Sequence, residues 1–73
     1  MVTVYSTPSC SYCTMAKNYL NSRGVKFTDY DVSMDQRRGE EMVKKSGQMG
    51  VPVIDINGTI IVGFDKNKID ASL

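Results

Sequence analysis

The stretch TPSCSYCTMA, Thr7–Ala16, holds both cysteines of the chain, two residues apart, in a sequence with no histidine. Pro8 and Ser9 break whatever precedes them, and from Ser11 the spacing turns helical. Cys13, Ala16 and Leu20 then share one face, with Tyr12, Met15 and Tyr19 beside it. Cys10 is thus expected in the turn before a helix and Cys13 one turn inside it. A helix start offers unpaired N–H groups and the positive end of the dipole, and both favour negative charge at Cys10. The thiolate is the form of cysteine that attacks disulfides. The pair therefore reads as a nucleophile, Cys10, and a shielded partner, Cys13, that resolves the mixed disulfide.

Other readings of the pair are weaker. An inert disulfide or two buried thiols would sit oddly among the loop-like, largely polar residues Pro8, Ser9, Ser11 and Tyr12. A zinc site usually takes four ligands, and this chain has neither a second cysteine pair nor a histidine, so no metal is expected. Two thiolates on a loop before a helix can also carry Cu(I). Small copper carriers run β-α-β-β-α-β, with a hairpin directly after the first helix, whereas here another helix precedes the hairpin.

Working outward, Val2 to Tyr5 read as a strand and Gly24 as the stop of the first helix. Val25 to Val32 read as a second strand. Ser33 with Gln36 reads as a capping box for a second helix that ends at Gly47. That helix is weak, with Gly39 inside it and an apolar face resting on Met34, Met42 and Val43. Val51–Ile56 and Thr59–Val62 flank Asn57-Gly58, a strong two-residue hairpin signal because both positions tolerate positive φ. Asp65 to Leu73 complete the pattern as a short helix. The order β-α-β-α-β-β-α, an α/β class, predicts a parallel first pair joined by a right-handed crossover and a closing antiparallel hairpin. Residues 1–73 read as a single domain. A chain of this size buries only about 60% of its unfolded surface, so any site should be a surface groove.

Nine basic residues against eight acidic, net +1, offer nothing that argues for nucleic acid. The basic pairs Arg37-Arg38 and Lys44-Lys45 read as solvated helix face. No targeting segment is visible, and no apolar run approaches the ~20 residues needed to span a bilayer. The expected location is the cytoplasm, where a lone cysteine pair is reactive more often than it is a staple.

These residues resemble the glutaredoxin family. VYSTPSCSYC, Val4–Cys13, is similar to the strand–turn–Cys-Pro-Tyr-Cys start of dithiol glutaredoxins. GVKFTDYDVSMD resembles their second strand, EEMVKKSGQMGVPVIDING their second helix and Thr-Val-Pro segment, and VGFDKNKI their Gly-Gly-x-Asp-Asp stretch. The resemblance implies a thioredoxin fold, a four-stranded mixed sheet with three helices, and a monomer. It implies Cys10 as catalytic nucleophile and Cys13 as resolving thiol. It matches Pro52 to the cis-proline facing the sulfur and Val51 to the residue whose main chain pairs with the cysteinyl unit of glutathione. Gly63, Phe64 and Asp65 match the loop at the γ-glutamyl end, and Tyr12 the tyrosine beside the nucleophile. Simpler readings stand beside these. Pro52 suits a strand start, Asp65 suits a helix N-cap, and Tyr12 suits a half-exposed helix face.

The implied activity is reduction of protein disulfides or glutathione mixed disulfides, with glutathione as co-substrate. The alternatives are a redoxin reduced by thioredoxin reductase, a Cu(I) carrier, and a subunit of a glutathione-bridged [2Fe–2S] dimer, which a small residue after the nucleophile would suit. Some family members carry selenocysteine at one of the two positions. The departures from the family pattern concern glutathione. Ser11 follows Cys10 in place of proline, Thr7 stands in place of a lysine that pairs with the glycyl carboxylate, Gly50 replaces threonine, Val62 replaces the first glycine, and Lys66 the second aspartate. Arg38 and Gln48 are the substitutes that charge and position suggest for the missing lysine.

Overall fold

A computed structural model describes residues 1–73. Its elements are β1 (Val2–Ser6), α1 (Ser11–Ser22), β2 (Thr28–Asp31), α2 (Gln36–Ser46), β3 (Val53–Ile56), β4 (Thr59–Val62) and α3 (Lys66–Ser72). The strands form one mixed sheet in the order β2-β1-β3-β4. β1 pairs parallel with β2 and antiparallel with β3, and β3 pairs antiparallel with β4. This is the thioredoxin fold that the order of elements and the family resemblance imply. No helix is long and apolar enough to cross a membrane.

Alternation along each strand divides the core in two. Val2 and Val4 of β1, Ile54 and Ile56 of β3 and Ile61 of β4 meet Ala16 and Leu20 of α1 and Ile69 of α3. On the opposite face Tyr5 and Val53 meet Met42 of α2. The same period of two that buries Val4 on one side buries Tyr5 on the other. The tyrosine hydroxyl keeps polar partners there: it donates to Glu41 and accepts from Lys45 Nζ at 2.9 Å, and Lys45 also reaches Asp55 at 2.8 Å. The bonds to Asp55 and then Tyr5 hold the lysine ammonium above its ordinary range. Arg38 lies 4.2 Å from the centre of the Tyr30 ring and pairs with Glu41 at 3.1 Å. One residue of each basic pair is therefore committed to the sheet and not to a solvated face.

Four local expectations need correction. The second strand is Thr28–Asp31, shorter than Val25–Val32, because its partners on β1 are only Thr3 to Ser6. Val25 instead closes α1, donating its N–H to Leu20, and packs with Phe27 against the larger core cluster. The cap of α2 is Asp35, which accepts from the Arg38 N–H at 3.2 Å. Ser33 is turned the other way, its N–H and hydroxyl both on Asp31. Of the apolar face expected for α2, only Met42 is buried, and Met34 stands outside the helix at 84% exposure. The third strand starts at Val53, leaving Val51 and Pro52 ahead of it.

The turn chemistry follows the sequence. Asn57 and Gly58 adopt φ of 51° and 97°, the two positive values that a tight hairpin of this hand requires. Gly39 is different. It sits mid-helix without a positive φ, where glycine costs about 1 kcal/mol relative to alanine.

The cap assignment is testable. Asp35→Ala should cost about 1 kcal/mol, a fall of roughly 4–8 °C in Tm for a domain this small. Ser33→Ala should stay within about 0.5 kcal/mol. Thermal melts showing equal losses would return the cap to Ser33.

Candidate functional site

The registers bring four chain segments to one end of the sheet. Ser6 lies opposite Asp31, Tyr5 opposite Val53, and Val53 opposite Val62. The loop after β1, the exit of β2, the entry to β3 and the exit of β4 therefore converge, and Cys10 stands among them.

Cys10 is the N-cap of α1. Its backbone is extended, and its Sγ accepts the Cys13 N–H at 3.1 Å. A serine or aspartate oxygen usually fills this position. Here a sulfur uses one of the free donors of the helix start. The Cys10 N–H bonds the Thr7 carbonyl at 3.4 Å, which fixes the loop from below. Across the groove the Cys10 thiol donates to the Val51 carbonyl over 3.8 Å. Cys10 is partly exposed and Cys13 is buried, with both thiols free. Burial pushes the Cys13 thiol up to about 11, and its hydrogen bond with Cys10 pushes the same way. At neutral pH Cys13 is a neutral thiol held beside the partly exposed sulfur of Cys10.

All six residues named as a binding surface line one groove of about 340 Å³: Tyr12, Val51, Pro52, Gly63, Phe64 and Asp65. The Val51-Pro52 bond is cis. The Pro52 carbonyl accepts the Gly63 N–H at 2.8 Å, tying the β4 exit to the β3 entry. Gly63 has φ of 83° there, a value that favours glycine. Phe64 packs edge-on against Tyr19. The Asp65 carboxylate accepts the Lys68 N–H at 3.1 Å, so its N-cap role is real. Val62, which the sequence reading noted only as a departure from the family's first glycine, also lines the groove.

Asp65 is the only charged residue lining the groove, and no lysine or arginine does. Thr7 offers no cation. Arg38 is engaged by Glu41 and Tyr30, and Gln48 folds back on Ser46 and Gly50. Neither suggested substitute for the missing lysine is free. As a metal-binding set the site offers two sulfurs, and no third His, Cys, Asp or Glu joins them.

Comparison with known proteins accords with this geometry. The glutaredoxin family model matches residues 2–61. A glutaredoxin-like 8.6 kDa protein of the rubredoxin operon of Clostridium pasteurianum is 50% identical over 96% of this chain and 93% of its own. Glutaredoxin 3 of Escherichia coli is 39% identical over 88% of this chain and 77% of its own. The crystal structure of the thioredoxin-like protein BC3987 superimposes over 100% of both chains with a TM-score of 0.94 at 25% identity. The chain is a member of the glutaredoxin family of thiol oxidoreductases.

Proposed function

We propose that this protein reduces disulfides of polypeptides and of glutathione adducts, with Cys10 as nucleophile and Cys13 as resolving thiol. The observation that carries the reading is the unequal pair: a half-exposed sulfur that caps a helix by accepting the Cys13 backbone N–H, and beside it the buried, neutral Cys13 thiol.

The reaction follows from that inequality. The Cys10 thiolate attacks one sulfur of the substrate disulfide. The substrate S–S bond breaks, and its second sulfur leaves as a thiolate that takes a proton from water. Cys13 then passes its proton through water to the departing substrate sulfur as its own sulfur attacks Cys10 Sγ. The Cys10–substrate bond breaks, the second substrate thiol leaves, and the enzyme holds the Cys10–Cys13 disulfide. Two thiols from a donor return both cysteines to the reduced form and leave as a disulfide. The high proton affinity of Cys13 keeps it from competing for the first attack. Val51, with its carbonyl beside Cys10, pairs with the main chain on either side of the substrate cysteine. Tyr12, Pro52, Gly63, Phe64 and Asp65 form the walls.

Glutathione is the first reading for the donor, because the Val51 carbonyl beside Cys10 suits main-chain pairing with an extended cysteinyl unit. A flavoprotein of the thioredoxin reductase type is the second, and the absence of any cation along the groove favours it. Glutathione brings two carboxylates. An exposed charge-assisted contact is worth on the order of 1 kcal/mol, or about fivefold in affinity.

Substitution separates the roles of the two thiols. Cys10→Ser should abolish turnover, and Cys13→Ser should accumulate a mixed disulfide visible by mass. In Cys10→Ser the remaining thiol keeps its raised proton affinity, so the thiolate is scarce at pH 8. Iodoacetamide should label it more slowly than free cysteine at that pH, and the rate should climb only well above pH 9. Fast labelling at pH 8 would contradict the assignment of Cys13 as the held proton carrier.

The donor is decided by turnover of one mixed-disulfide substrate with glutathione plus its reductase, and with thioredoxin reductase. Thr7→Lys should lower the KM for glutathione about fivefold and leave the second system unchanged. Turnover with thioredoxin reductase alone, unaffected by Thr7→Lys, would select the second reading.

A further inference from the structure

The roomiest groove of the surface is not the one beside Cys10. It measures about 540 Å³ and lies along α2, lined by Val32, Met42, Val43 and Met49 around Gly39, with Glu40 and Lys44 as its charged residues. Met49 is 81% exposed and Val43 36%. Such apolar surface costs solubility and is retained most often where something covers it.

Gly39 gives a second, independent observation. Its backbone needs no glycine, because its φ is not positive. The fold does not demand one either, since an added Cβ would meet Val32 at 3.8 Å, ordinary contact. A mid-helix glycine weakens the helix that carries it. What the missing side chain does provide is an open floor to this groove.

The groove also adjoins the reactive end. The Val32 N–H bonds the carbonyl of Ser6, the last residue of β1, at 2.9 Å. Met49 is two residues before Val51, whose carbonyl lies 3.8 Å from Cys10 Sγ, a reach of roughly 7 Å along an extended chain. Ser46 to Val51, the segment that joins α2 to Val51, carry no charge.

We propose that the α2 groove is a second docking site for the polypeptide disulfide that Cys10 attacks, and that it takes a large apolar side chain a few residues from the substrate's reacting cysteine. This rests on the function proposed above. A tripeptide thiol bonded to Cys10 has no such side chain, whereas a polypeptide continues along the surface. Glu40 and Lys44 have opposite signs four residues apart and select neither charge, so the anchor is apolar. Met49, exposed, flexible and polarizable, suits anchors of different shape. The site therefore sorts polypeptide disulfides by sequence context.

The test compares defined probes in single turnovers of the reduced protein. Bis(2-hydroxyethyl) disulfide reports the chemistry alone. Blocked peptides, each with one cysteine held as a disulfide with 2-mercaptoethanol, carry tryptophan at successive positions within five residues of that cysteine, against an alanine control. At least one tryptophan position should react five times faster than the control. Gly39→Leu, which fills the floor, and Met49→Glu, which charges the wall, should each cancel that gain. Both should keep the rate with the small disulfide within twofold. Gly39→Ala, with its Tm unchanged or raised, should reduce the gain in part and guards against a misfolded leucine variant. No favoured tryptophan position, or a gain that survives both substitutions, would overturn the proposal. Failure of the unsubstituted protein to reduce the small disulfide would instead overturn the proposed function.

Discussion

The hydrogen bond from the Cys13 N–H to Cys10 Sγ ties helix formation to chemistry. All three helices begin the same way, with a side chain accepting the N–H three residues on: Cys10 for α1, Asp35 for α2 and Asp65 for α3. Two of the acceptors are carboxylates, which serve stability alone in that role. The third is a sulfur. The donor that would otherwise be an unmet cost of the helix end is thereby turned toward the atom that, in the function proposed above, carries negative charge during attack. Stability and reactivity draw on one bond, which is why the pair cannot be moved along the helix without loss of both.

The surrounding sheet exists to hold that cap against Val51. β1 delivers the loop of Cys10 and β3 begins beside it. The antiparallel register Tyr5 to Val53 fixes the two at neighbouring positions. The buried Tyr5 hydroxyl, bonded to Glu41 and Lys45, attaches α2 to the same two strands through Asp55. A slip of one residue would turn Tyr5 to the wrong face and strand its hydroxyl, so the polar network and the apolar alternation specify one register together.

Much of this was legible in the chain, and the misses share a cause. Cys13, Ala16 and Leu20 are the buried face of α1, as their spacing required, and Asn57-Gly58 makes the hairpin. Those features are local, set by a few φ values or by one helical period. The groove residues Tyr12, Val51, Pro52, Gly63, Phe64 and Asp65 came from the family resemblance, and no period in the sequence would have joined them. The cap of α2 was misread because Ser33 and Asp35 both satisfy the local pattern, and only the turn that Asp31 closes decides between them. The strand at Val25 was misread because alternation also suits a loop lying on the core. Lys45 and Arg38 looked solvated because their partners Asp55 and Tyr30 are distant in sequence.

The disposition of the chain ends has a further consequence. Val2 pairs with Ile56 at the end of the sheet opposite Cys10, and the Met1 ammonium meets Asn57 of the hairpin. In α3, Asp70 bonds Tyr19 and Arg23 near the far end of α1, so Leu73 lies away from the sulfur as well. Neither chain end therefore starts beside the reactive loop. The partly exposed Cys10 and the two chain ends thus occupy opposite ends of the sheet.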